Sequence, residues 1–148
     1  MLLDAQLLLS DAQAVTVTAN STNVVDTAAA RDPGAGESLT LVVQVTQAVT
    51  ASGSATVTFS LEAATDAAFT SPVQLFSSGP IAKTALTLGA KPVATAVPPG
   101  AQRYLRLVYT IGTGPLTAGA FTAGLSLVGA HDEALRPPYG HGLLAGAA

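Results

Sequence analysis

Residues 103–128 read RYLRLVYTIGTGPLTAGAFTAGLSLV, and their alternation decides the fold class. Side chains in a strand switch sides at every residue, so Leu105, Leu107, Tyr109 and Ile111 share one face. Tyr104, Arg106, Val108 and Thr110 share the other. Gly112, Gly114 and Pro115 break the pattern as turn residues do. The alternation then resumes, with Phe121, Ala123, Leu125 and Leu127 on one side and Thr122, Gly124 and Ser126 on the other. The pattern predicts a long hairpin with a greasy face and a hydroxyl-rich face. A lone hairpin is marginal in water, so the rest of the chain must cover the greasy face.

Working outward, Ser38–Val49 predicts a second clear strand, with Leu39, Leu41, Val43 and Val45 on one face. Thr56–Ala63 is expected to be its partner after a turn at Ala51–Ser54, with Val57, Phe59, Leu61 and Ala63 inward and Thr56, Thr58, Ser60 and Glu62 outward. Shorter strands are expected at Ala14–Ala19, from Val24, at Val73–Phe76, at Ile81–Leu88 (a looser one) and at Pro92–Val97. In TDAAFTSP, Asp66 can cap a single helical turn, and Phe69 can plug the edge of the core. Pro33, Gly34 and Gly36 make 26–37 a loop. About eight short strands, with no helical period, give an antiparallel all-β sandwich or barrel. Residues 1–13, rich in leucine but without clean alternation, read as an arm that packs on the domain or on a partner. Residues 129–148, interrupted by Pro137, Pro138, Gly140 and Gly142, read as an extended tail. The expected organisation is one sandwich domain over 1–128 followed by that tail.

The 148 residues fit one domain. Hydrophobic residues make up 49% of the chain and charged ones only 10%, against about 25% charged in a typical globular chain. Its surface must therefore be built largely from Thr, Ser, Gln, Ala and Gly, which suits faces that pack against partners. The net charge is −3, and the six Lys and Arg form no stripe, which argues against nucleic-acid binding. Without Cys there is no disulfide framework and no thiolate chemistry. The start, MLLDAQLLLSDAQ, lacks the basic residues of a signal peptide, and Asp4 interrupts its apolar run. No run approaches the ~20 apolar residues of a membrane span. The expectation is a soluble protein made and used without export or membrane insertion.

Catalytic chemistry finds little support. His131 and His141 are the only imidazoles, both in the tail, and their separation matches no metal-binding spacing. There is no GxSxG elbow, and neither GTGPLTAG nor DPGAGES is followed by the lysine of a phosphate loop. Asp26, Asp32 and Glu37 could supply paired carboxylates or calcium ligands, but their spacing is not that of an EF-hand loop, and Asp32-Pro33 reads as turn chemistry. Sugar clefts usually offer aromatic platforms, whereas this chain has no Trp and three Tyr. The reading is a non-enzyme with no cofactor and no metal.

Four stretches carry a resemblance: LDAQLLLSDAQAVT (3–16), ARDPGAGESLTLVVQV (30–45), TDAAFTSPVQL (65–75) and RYLRLVYTIGTGPLTAGAFTAGL (103–125). In order and spacing they resemble the capsid cement, or decoration, proteins of short-tailed bacteriophages of the Bordetella phage type, over about residues 1–128. The resemblance implies a jelly-roll-like β-sandwich, usually a homodimer. It would sit on the outer surface of the virion shell and stabilise it by bridging subunits of the major capsid protein. It transfers no catalytic motif. Expected interface residues are Leu7, Leu8 and Leu9 in the arm, Tyr104 and Arg106 on the outward strand face, and Leu135, Arg136, Tyr139, Leu143 and Leu144 in the tail, Tyr and Arg being enriched where partners bury. The alternative reading is an adhesin-like or carbohydrate-binding β module, against which the missing Trp and missing signal peptide weigh.

Overall fold

A computed structural model describes residues 3–28 and 39–126. Ten strands follow one another among the described residues: β1 (Leu8–Ala14), β2 (Ala19–Asn20), β3 (Val25–Asp26), β4 (Thr40–Thr50), β5 (Thr56–Ala64), β6 (Val73–Ser77), β7 (Ile81–Ala82), β8 (Val93–Ala96), β9 (Tyr104–Gly112) and β10 (Ala118–Ser126). They form two antiparallel sheets. One has the order β1-β10-β4-β8; the other has β2-β9-β5-β6, with β3 also on β9 and β7 also on β5. The fold is an all-β sandwich of the jelly-roll-like kind.

The inward positions are those that alternation marks. Leu41, Val43, Val57, Phe59, Leu61, Ala63, Leu105, Leu107, Tyr109, Phe121, Ala123 and Leu125 have no exposed surface. Three rings meet at the centre. Phe59 stands edge-on to Tyr109 and Phe121, at centroid distances of 5.8 and 5.2 Å, while Tyr109 stacks on Phe121 at 5.3 Å. Such arrangements add to the burial of three large side chains by matching ring edges to ring faces.

The two long halves of 103–128 are not a hairpin, contrary to their reading in sequence. β9 lies in one sheet, paired with β5 from Thr56↔Gly112 to Ala64↔Tyr104. β10 lies in the other, paired with β4 from Ala118↔Thr50 to Ser126↔Thr40. The link between them arches across the end of the sandwich. Thr113 and Gly114 take positive φ (61° and 92°), and buried Leu116 seals the end. Leu116 N donates to Thr16 O and Thr117 N to Thr50 O, 2.8 Å each, which ties the arch to both neighbouring connections. The greasy faces of β9 and β10 therefore cover each other. The same correction applies to β4 and β5: their connection passes buried Ala55 and changes sheet.

Three smaller expectations also change. The leucine-rich start is not only an arm: Leu8–Ala14 is the edge strand β1, which follows a 3-10 turn at Ala5–Leu7. Its pairing with β10 slips register twice, and Ala12 takes φ 45°, so its alternation is broken in sequence although it is a strand in space. The strand expected over Ala14–Ala19 is instead the end of β1 and the start of β2 joined by a bend at 15–18, because Val15 turns into the core and donates its N–H to Gly119 O. Ile81–Leu88 is a two-residue bridge followed by a 3-10 turn at Lys83–Ala85, which brings Leu86 into the core.

Candidate interaction surfaces

The outer face of the β9/β5 sheet is built by the residues opposite the core set. Thr58 pairs with Thr110, Ser60 with Val108, Glu62 with Arg106 and Ala64 with Tyr104. Arg106 was legible as outward but not as partnered. Its Nε donates to Glu62 Oε2 at 2.9 Å, and its Nη2 lies 2.8 Å from the same oxygen. The Phe69 ring lies 4.3 Å from the guanidinium carbon. Phe69 does not plug the core edge, as its hydrophobicity suggests. It packs on the outer face, held there in a left-handed conformation (φ 53°). Asp66 fixes that loop: its Oδ2 accepts from Thr70 N at 3.1 Å and from Thr70 Oγ1 at 2.7 Å. These bonds hold the Asp66 carboxyl below the usual carboxylate range. The residues 65–70 form a capped turn with Phe69 N donating to Asp66 O, rather than a helical turn.

At the sheet's other side Asp26, one of the candidate paired carboxylates, is held by Arg103, with Nε to Oδ1 at 2.8 Å and Nη2 to Oδ2 at 3.0 Å. That bidentate bond lowers the Asp26 carboxyl and raises the guanidinium. Arg103 also lies over the Tyr104 ring, 4.9 Å from its centroid. Asp32, Glu37, His131 and His141 lie outside the described residues, as do Leu135, Arg136, Tyr139, Leu143 and Leu144 of the expected interface. Among the described residues no group of three His, Asp or Glu could hold a metal ion.

The opposite outer face, on the β10/β4 sheet, is made of small and uncharged side chains. Thr40, Val42, Ala120 and Ser126 on it are buried. Part of the cover comes from the N-terminus: Leu3 lies over Gly124, where an added Cβ would stand 3.0 Å from Leu3 Cδ2 and 3.1 Å from Leu7 O. Of the arm residues expected at an interface, Leu9 is wholly in the core, and Leu7 and Leu8 are half-buried. Tyr104 and Arg106 are half-buried as well.

A buried polar relay joins the two sheets. Tyr109 Oη donates to Ser10 Oγ at 2.8 Å, and Ser10 Oγ donates to Gln13 Oε1 at 2.7 Å. Gln13 Oε1 also accepts from Thr22 N, and its Nε2 donates to Asn20 O. Burial pushes the Tyr109 phenol up to about 12. The relay ties β1 to β9 and to the turn at Thr22, and its side-chain groups satisfy one another. Sequence reasoning missed Ser10, Gln13, Glu62 and Gly124, since each acquires its role only through a strand neighbour.

A shallow polar depression of about 660 Å³, lined by residues including Gln6, Thr22, Asn23 and Asp26, opens between β1 and β3. Asp26, the ionisable group in that lining, is engaged by Arg103. Among the described residues no helix is long and apolar enough to cross a membrane. A family model described as Bbp16 matches residues 9–125. No curated protein matches the chain.

Proposed function

The chain belongs to the Bbp16 family, and from that premise we propose that it binds the outer surface of a bacteriophage capsid and stabilises the shell by bridging subunits of the major capsid protein. It is a viral, non-enzymatic structural protein with a β-sandwich fold. The family match, which runs from β1 to the end of β10, carries the reading. The physical character of the molecule supports it. Two broad sheet faces carry hydroxyls, small side chains and amides, and the charges of the β9/β5 face neutralise each other in the Glu62–Arg106 and Asp26–Arg103 pairs. Such faces can be buried without stranding an uncompensated charge.

A homodimer bridging neighbouring capsid subunits adds interface area at two points, and two-site attachment raises the effective affinity without strong single contacts. In this reading Tyr104 and Arg106 contribute from the sandwich. From the sequence alone, Leu135, Arg136, Tyr139, Leu143 and Leu144 are further candidate contacts with a neighbour. Shells assembled with the protein withstand higher temperature and stronger osmotic shock than shells without it, and deleting 129–148 lowers occupancy on the shell. Equal robustness with and without the protein defeats the proposal.

A further inference from the structure

The sandwich has two unlike ends. At one, the connections 15–18, 51–55 and 113–117 are short and closed. Leu116 N donates to Thr16 O and Thr117 N to Thr50 O, and Thr117 Oγ1 lies 2.7 Å from Thr50 Oγ1. These three connections carry no charged residue. Lys83, beside them, donates from Nζ to Ala51 O at 2.6 Å. The other end is where β9 begins and β3, β5 and β10 finish: Tyr104 is opposite both Asp26 and Ala64, and Ser126 is opposite Thr40. Residues 29–38, between Ala28 and Leu39, and residues 127–148, after Ser126, join the body at this end. Thr27 N donates to Arg103 O and Val97 N to Leu39 O, which fixes both joints of 29–38 there. Both arginine–aromatic contacts lie toward the same end: Arg103 on Tyr104, bonded to Asp26, and Arg106 on Phe69, bonded to Glu62. Asp66 is in the turn after β5, and Asp4 precedes β1, whose Leu8 is opposite Gly124. Eight of the nine acidic residues therefore belong to this half or to the two segments joined to it, against four of the six Lys and Arg. Asp11, Lys83 and Lys91 are the remainder.

We propose that the sandwich stands on the capsid shell on this second end, with its strands rising from the surface and the 113–117 arch facing outward, and that the shell surface it meets is basic. A nine-residue strand is about 30 Å long. Standing on the arch would lift Arg103, Tyr104 and both joined segments about that far from the shell, and would press an uncharged, hydrogen-bonded cap onto it. Standing on the opposite end brings the arginine–aromatic pairs, a combination enriched at interfaces, to the contact together with the acidic excess of the chain. The contact then weakens with salt. This inference rests on the capsid reading above and names the end that attaches and the charge of the surface it fits.

The chain has no cysteine, so single cysteines report which end is covered. Gly53→Cys marks the arch end, where an added Cβ meets nothing within 4 Å. Ala67→Cys marks the other end, at an exposed position of the turn after β5. Ser52→Cys and Ala68→Cys, also at exposed positions, replace either variant should it misfold. Each full-length variant is bound to empty shells, washed and treated with a bulky polyethylene-glycol maleimide; the free proteins serve as the reference. On shells, Gly53→Cys is expected to react as fast as it does free, and Ala67→Cys about tenfold more slowly or less than that. Labelled beforehand, Gly53→Cys still pellets with shells and Ala67→Cys does not. Occupancy of the wild type falls as salt is raised from about 50 to about 500 mM. The reverse protection pattern, or equal reactivity of the two ends on the shell, overturns the inference while leaving capsid binding intact. Occupancy indifferent to salt overturns the basic partner surface. Wild type that never pellets with shells overturns the capsid reading and this inference with it.

Discussion

Replacing Tyr109 with Phe should reverse the stability ranking of the two proteins near pH 11. The Tyr109 hydroxyl is buried and donates to Ser10 Oγ at 2.8 Å. Its removal leaves Ser10 still bonded to Gln13, so no buried group is orphaned, and the loss at neutral pH is about 1 kcal/mol. The folded protein holds the phenolic proton up to about 12, against 10.0 in the unfolded chain. Below pH 10 the stabilisation from this difference is complete; as pH rises through 10 towards 12 it is lost, because the unfolded chain ionises first. Two pH units correspond to roughly 3 kcal/mol, of which about 2 is gone at pH 12. Tyr109→Phe lacks this loss, while every other group is common to the two proteins and cancels in the comparison. Urea denaturation from pH 8 to 12 should show wild type ahead by about 1 kcal/mol at pH 8, level near pH 11 and behind by about 1 at pH 12. Parallel curves over the whole range would refute a buried, proton-retaining Tyr109.

Leu107→Ala, at a position with no exposed surface, should cost about 2–5 kcal/mol by denaturant titration. Gly124→Val drives a side chain into Leu3 and the Leu7 carbonyl; the expected cost is about 1–3 kcal/mol, with faster amide exchange over residues 3–14 and little change in β5 or β9. The Asp66 and Asp26 carboxyls are held below their ordinary value by Thr70 and Arg103. Their contribution is present above the unfolded pKa of about 3.8 and is lost as pH falls through the lower folded values. Asp66→Asn and Asp26→Asn should therefore flatten the acid limb of the stability profile.

Alternation read in sequence assigned the faces of β4, β5, β9 and β10 correctly, because burial acts on side chains and side chains alternate. It could not assign partners. A strand's neighbours are chosen through backbone hydrogen bonds, which look alike whichever sheet they join, so β9 and β10 read equally well as a hairpin or as opposite walls. The five residues from Thr113 to Thr117 are long enough to cross the ~10 Å between sheets. The strand character of β1 was hidden by two register slips, which let Leu9 enter the core while Leu8 stands opposite Gly124. At the surface, Arg106 was legible as outward. Its partner Glu62 follows only from the β5–β9 register, and its cover Phe69 only from a left-handed backbone that the sequence does not advertise.

Co-sedimentation of the purified protein with empty shells of its phage tests the functional account most directly. Saturable recovery in the shell pellet, lost when the outer shell surface is already occupied by unlabelled protein, is the expected result. Protein that stays in the supernatant at every shell concentration would contradict the account.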